Sequence, residues 1–288
     1  MRGVVRCLLA AIVVATSVVA GPAHQSLAAA NRSLTNVITS ILPSSDQVVG
    51  VAHPVVVTFR APIFDKRAAE QALNITSSPP MTGKFEWLKT NVVQWTPDEF
   101  WPAHSTVALS VGGVKTSIVT GAAVVAVANI AEHTFTVTID GVEPQTLPAP
   151  HHRPHFGEPG VFPATMGREK YPTPVGTFPV LSKDRDVVMD SSSVGIPVNA
   201  EDGYHLTVDH AVRLTQRGIF VHSAPWAVNA MGYENTSHGC IGLSPQDAEW
   251  YFDVVKVGDP VVVQQNNVEI PRPVAPQAPV EVPRIVSG

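Results

Sequence analysis

The chain has 288 residues and a mass of 30.6 kDa, and at about 150 residues per domain this length predicts two domains. Hydrophobic residues make up 44% and charged residues 15%, which excludes a disordered chain, because disorder needs low hydrophobicity and high net charge. A formal charge of −5 and a pI near 6.1 leave no basic footprint for nucleic acid.

Residues 1–30 have the three parts of an export signal. A basic start ends at Arg6, an apolar run extends from Cys7 to Ala20, and small residues follow the Gly21-Pro22 break. The apolar core is short of the ~20 residues that a spanning helix needs. A membrane anchor that is never cut is the alternative, and both place the rest of the chain outside the cytoplasm. Removal of the signal takes Cys7 with it and leaves Cys240 as a solitary thiol in a compartment where cysteines usually pair.

Residues 31–45 read as a polar linker. From 46 to 121, short β-type runs recur between Pro, Gly, Asp and Asn, at the spacing of a β-sandwich. They are Gln47–Ala52, Val55–Phe59, Leu73–Thr76, Lys84–Leu88, Val92–Thr96 and Thr106–Val111. Asp65–Ala72 suits a turn or two of helix. Trp87, Trp95 and Trp101 read as core and edge packing, and this segment holds no cluster of catalytic residue types.

A second, β-rich domain spans 122–266. Ala123–Ala128 and Thr134–Ile139 are expected strands, and Asp140-Gly141 is a hairpin signal leading into Val142. The Pro/His/Gly-rich stretch 148–163 reads as loop; its run from His151 to His155 has no Cys or acidic partners, so a solvated loop fits it better than a metal site. Further strands are expected at Phe178 and over Val187–Asp190, and the long stretch Ser191–Arg217, with its isolated Tyr204, reads as a lid. Ser244 and Pro245 open a helix whose buried face carries Trp250, Tyr251, Val254 and Val255, with Gly258 as its terminator. Val261–Gln264 closes the domain, and 267–288 is a Pro-rich tail.

Chemistry concentrates between Gly218 and Ile241. A buried strand delivers His222, and Ser237-His238-Gly239-Cys240 follows within 19 residues of it. A thiol with a free pKa near 8.5 is mostly protonated at neutral pH, and an imidazole can take its proton. His222 suits that base role, with its other nitrogen fixed by a backbone carbonyl such as that of Ser223. Gly239 allows a turn whose N–H groups face an oxyanion. His238 can orient the thiol or donate to substrate. The same His and Cys are zinc-ligand types, but no second Cys or spaced Glu completes a set.

His222 followed by Ser237-His238-Gly239-Cys240 resembles the signature of the L,D-transpeptidases. The likeness covers about 123–265, and the upstream segment resembles the immunoglobulin-like domain of mycobacterial members. The resemblance implies a mainly β protein: an N-terminal immunoglobulin-like β-sandwich, then an L,D-transpeptidase catalytic domain with one or two helices. It implies 3→3 cross-linking of peptidoglycan stem peptides. Cys240 attacks the diaminopimelate carbonyl of a tetrapeptide donor and releases D-alanine, and an acceptor amine resolves the thioester. By resemblance, His222 is the base, the Ser223 carbonyl orients it, and the N–H groups of His238, Gly239 and Cys240 form the oxyanion hole. Tyr204, Arg217 and Gly218 fall at substrate-groove positions, carbapenems are the implied inhibitors, and no cofactor is required. Gly242 departs from the family, which usually has Asn there and so can hydrogen-bond substrate. An L,D-carboxypeptidase and a wall-binding protein with a decayed site stay open as alternatives.

Overall fold

The computed structural model describes residues 34, 36–45, 47–150, 152 and 154–266. The expected export segment and the Pro-rich tail lie outside the described residues. The first unit contains β1 (Ile38–Leu42), β2 (Val48–Val49), β3 (Val55–Phe59), α1 (Lys66–Leu73), β4 (Thr76–Ser78), β5 (Gly83–Lys89), β6 (Val92–Pro97), β7 (Thr106–Val111) and β8 (Val114–Thr120). Two four-stranded sheets form, in the orders β1-β3-β6-β5 and β2-β8-β7-β4. Alternate side chains turn inward, so Val55, Val57 and Phe59 meet Trp95, Val107 and Leu109 in one core. The tryptophans serve packing: Trp101 is fully buried and donates Nε1–H to His53 O at 2.8 Å, and Trp87 stacks on Phe59 at 6.0 Å.

Three boundaries differ from expectation. β1 lies inside the expected linker, because Ile38 and Ile41 supply enough apolar surface to pack an edge strand onto β3. Leu73 ends a helix instead of starting a strand: Asp65 caps α1 by accepting from Ala68 N–H at 2.9 Å, and Asn74 closes it at φ 36°. β8 was hidden by its polar Lys115, Thr116 and Ser117, yet it pairs with β7 along its length.

The second unit contains β9 (Val124–Asn129), β10 (Thr134–Ile139), β11 (Val161–Pro163), β12 (Gly176–Pro179), β13 (Ser182–Asp190), β14 (His205–Arg213), β15 (Phe220–Ser223), β16 (Ile241–Leu243), α2 (Pro245–Val254) and β17 (Pro260–Gln264). A five-stranded sheet, β11-β10-β9-β17-β12, and a four-stranded sheet, β13-β14-β15-β16, share a core. Ala126, Phe135 and Val137 of one meet Val221, Ile241 and Leu243 of the other, and Tyr251 of α2 sits edge-on to Phe135 at 4.8 Å.

Here too the chain corrects three expectations. Asp140-Gly141 makes a tight turn, with Val142 N–H on Ile139 O at 3.1 Å, but leads into a short 3-10 turn; β10 instead pairs with β9 and β11. The stretch read as one long lid contains β14, a nine-residue strand paired with β13, whose Leu206 and Val208 pack with Ala211 and Phe220 while Val212 enters the main core. The loop itself is Ser191–Tyr204. α2 starts as expected at the Ser244 cap but ends at Val254, where Val255 becomes extended; Gly258, at φ 91°, turns the chain into β17.

The two units are joined through backbone. Gly50 N–H donates to Val257 O at 2.9 Å and Ala52 N–H to Gly258 O at 2.8 Å. A Cβ on Gly50 would lie 2.0 Å from Asp259 N, so only glycine permits this approach. Val51, Ala52, Phe100, Ala123 and Val125 make the apolar seam around it.

Candidate active site

The register of β15 and β16 assembles the site. They run parallel, with Val221 beside Ile241, His222 beside Gly242 and Ser223 beside Leu243. Side chains alternate along a strand, so Cys240, two residues before Gly242, falls on the face that carries His222. Both line one cavity of about 470 Å³, together with Tyr204, Met189 and Trp226.

His222 is buried, and its Nδ1 lies 2.7 Å from Ser223 O. A carbonyl only accepts, so Nδ1 carries the proton and Nε2 is left as a bare acceptor. Burial holds the imidazole below its usual pKa, against the opposing pull of the Ser223 carbonyl. The ring is therefore neutral at pH 7. Burial also pushes the half-buried Cys240 thiol up to about 11, opposed by a backbone hydrogen bond at Phe220. Its S–H points to Gly218 O at 3.7 Å, and among the described residues no hydrogen bond joins Sγ to either imidazole. The site thus holds a neutral thiol and a neutral imidazole in one cavity.

The turn that carries the thiol is braced from inside. Ser237 Oγ donates to Cys240 O at 2.6 Å and accepts from Gly239 N–H at 3.0 Å, and Thr173 Oγ1 donates to Gly239 O at 2.9 Å. Gly239 takes φ 118°, a conformation that favours glycine. Its N–H, one of the amides expected at the oxyanion, is held by Ser237 Oγ within the turn.

These features sit inside recognisable sequence. Residues 123–263 match the L,D-transpeptidase catalytic domain, and 19–115 match a bacterial Ig domain. "Probable L,D-transpeptidase 3" of Mycobacterium tuberculosis is 62% identical over 271 residues, covering 92% of this chain and 100% of the relative. The chain belongs to the L,D-transpeptidases. Among solved structures, L,D-transpeptidase 3 of M. tuberculosis with a faropenem-derived adduct superposes with a TM-score of 0.75 at 64% identity, covering 80% of this chain and 98% of that one. An L,D-transpeptidase in complex with imipenem gives 0.70 at 47% identity, covering 79% and 98%.

Within this L,D-transpeptidase, His238 is not free to act as a base: Arg168 donates to its Nε2 at 2.9 Å. Burial and the Arg168 charge hold its pKa below the usual histidine value. Its ring lies against Tyr171 and Tyr204, with centroids at 4.8 and 4.9 Å. Gly218 meets the thiol, whereas Arg217 stands exposed in the turn between β14 and β15 and does not line the cavity. Gly242 exchanges backbone hydrogen bonds with Thr165 at 2.8 and 3.0 Å. A Cβ there would lie 3.0 Å from Ala224 Cβ and from Thr165 Cγ2, so any side chain at this position starts in tight contact with both. The loop 148–163 sets Pro154 against Gly232 and so buttresses the segment that carries Trp226 and Ala230 into the cavity.

Several contributors had no signal in sequence. Thr165 Oγ1 donates to Glu234 O at 2.8 Å and accepts from Thr236 N–H at 3.0 Å, which ties the approach to the thiol onto the segment after β11. Arg168, Tyr171 and Asp202 reach His238 and the lid from positions that no motif links to Cys240. The Ser237 hydroxyl was in view as part of a motif, but its bracing role follows only from the folded turn.

Proposed function

We propose that this enzyme forms 3→3 cross-links in peptidoglycan, joining diaminopimelate residues through a Cys240 thioester and releasing D-alanine. The observation that carries the reading is the pairing of a cavity-facing thiol with an imidazole whose Nε2 is unprotonated. A thiol with its pKa at about 11 stays protonated, so attack and proton transfer occur together. Rotation of Cys240 away from Gly218 O brings Sγ to the donor carbonyl. The S–C bond forms as the S–H proton passes to His222 Nε2, and the amides of His238 and Cys240 hold the oxyanion. Collapse breaks the C–N bond, and His222 returns the proton to the departing D-alanine amine. The acceptor amine then attacks the thioester and gives up a proton to His222; as the S–C bond breaks, His222 passes that proton to Sγ, which restores both the thiol and the neutral imidazole.

The faropenem adduct and the imipenem complex of relatives support an acylable site of this kind, and carbapenems are the inhibitors to expect. The N-terminal export pattern supports work in the cell envelope; among the described residues no helix is long and apolar enough to cross a membrane.

Mass spectrometry of purified protein with disaccharide-tetrapeptide tests the reading. The expected products are 3→3 dimer and D-alanine, with neither formed by Cys240→Ala at an unchanged melting temperature. Dimer made by Cys240→Ala would overturn the nucleophile. Tripeptide without dimer would instead identify an L,D-carboxypeptidase.

A further inference from the structure

The lid is tied down by one carboxylate. Asp202 Oδ1 accepts from Arg168 Nη2, and its Oδ2 accepts from Lys170 Nζ and, at 3.1 Å, from Tyr171 OH. Three donors from a four-residue segment converge on a single lid residue. The same Arg168 Nη2 also reaches His238 Nε2 at 2.9 Å, so one guanidinium bridges the lid and the turn that presents Cys240. Tyr171 stacks on one neighbour of that contact, His238, and Tyr204 of the lid leans on the same ring. Asp202 is two residues from Tyr204, and the loop is pinned at its base by Ser191 N–H on Tyr204 O and Tyr204 N–H on Ser191 Oγ, both at 3.0 Å. Gly203 makes the tight turn between them; a Cβ there would lie 2.2 Å from Val198 O. Asp202 therefore lies on the short segment that leads directly into Tyr204.

We propose that Asp202 and Arg168 are positioning residues: the lid carboxylate closes on Arg168, Lys170 and Tyr171, and this contact fixes Tyr204 and His238 in the wall of the cavity that holds Cys240. The proposal rests on the transpeptidase reading for its catalytic consequence but not for the closure itself. Residues 192–195 and 197–201 of the lid are exposed, so few buried contacts hold it and it can open for substrate and close around it. Closure onto His238 orders the turn whose amides face the oxyanion. Opening releases the lid and His238 at one stroke, because Arg168 is common to both.

Asp202→Asn in the full chain is the test, read by hydrogen exchange over 191–204 and by the rate at which iodoacetamide alkylates Cys240, located by peptide mass. Exchange and alkylation are both expected to rise at least about fivefold, with β9 and β17 unchanged. With tetrapeptide donor, kcat is expected to fall about tenfold while KM moves less, since closure acts on the reacting geometry. Asp202→Glu should restore all three. Lys170→Ala, at an exposed position, should shift them the same way by less. Exchange and alkylation equal to wild type in Asp202→Asn would overturn the proposal, as would a failure of Asp202→Glu to restore them. If wild-type protein makes no dimer, the function proposed above fails, yet exchange and alkylation still decide whether Asp202 closes the lid.

Discussion

The two walls of the catalytic cavity are built differently. On one side, His222, Gly242 and the thiol-bearing turn are set by backbone groups and one short local side chain: a parallel strand register, a carbonyl on Nδ1, and the Ser237 hydroxyl bracing the turn. On the other, Tyr204 and His238 are held by side chains, with Asp202 gripping Arg168, Lys170 and Tyr171. Backbone placement costs little reorganisation when charge develops, which suits the groups that move protons and hold an oxyanion. Side-chain placement can let go, which suits a wall that must admit a bulky peptide. Rigidity and mobility are thus divided between the two sides of one site.

His222→Gln is expected to break the rigid wall most completely. It removes the proton acceptor while retaining a polar side chain, and should lower kcat/KM for cross-linking by about 10²–10⁴-fold. The wild-type pH profile sharpens the point. In the proposed mechanism His222 acts when neutral, and burial places its pKa below the 6.5 of an ordinary histidine, so activity should be lost on acidification only below that value. Because the thiol lies near 11, a mechanism needing preformed thiolate would climb about tenfold per pH unit between 8 and 10. Concerted transfer to His222 predicts a flat profile there, and such a climb would overturn it.

Ser237→Ala tests the brace within the same wall and should cost less. It deletes the donor to Cys240 O and frees Gly239 N–H. A destabilisation of about 1–3 kcal/mol is expected from the unsatisfied groups, measured by denaturant unfolding. Loosening of the turn should reduce kcat by roughly tenfold to a hundredfold, because small misplacements of reacting groups are expensive. Carbapenem acylation of Cys240, followed by intact mass, should slow in parallel. Wild-type kcat in a normally folded Ser237→Ala protein would show that the turn needs no brace.

Legibility in the sequence follows the same division. The strand ending in His222, the Ser-His-Gly-Cys turn and the capped α2 depend on contiguous residues, so their chemistry was readable before folding. The sandwich was readable too, since β3, β6 and β7 alternate in sequence as they do in space. β14 was not legible because the Ser-rich start of the segment, Gly203 and Tyr204 carry loop signals, and the alternation breaks after Val208, where Ala211 and Val212 are buried in succession. The Arg168–Asp202–His238 contact joins residues separated by 34 and 70 positions, and no local pattern encodes it. Arg217, placed at the groove by resemblance, stands exposed in the turn before β15.

The smallest effect is expected where the strand wall forms the cavity floor. Gly242 lies beside His222 across the parallel pair, and a Cβ there meets Ala224 Cβ and Thr165 Cγ2 at 3.0 Å each. Both neighbours are short and anchored: Thr165 by hydrogen bonds to Glu234 and Thr236, and Ala224 by its N–H on Leu243 O at 2.9 Å. Neither can swing aside, so Gly242→Ala must be absorbed by a small shift of the strand pair, at about 1–3 kcal/mol. That shift raises the floor next to His222 without touching Nδ1, Nε2 or the thiol. The melting temperature should fall and KM for the donor should rise a few-fold, while kcat stays near wild type. A kcat loss as large as that of Ser237→Ala would mean that Gly242 serves the reacting groups directly, and that the floor and the nucleophile turn cannot be separated.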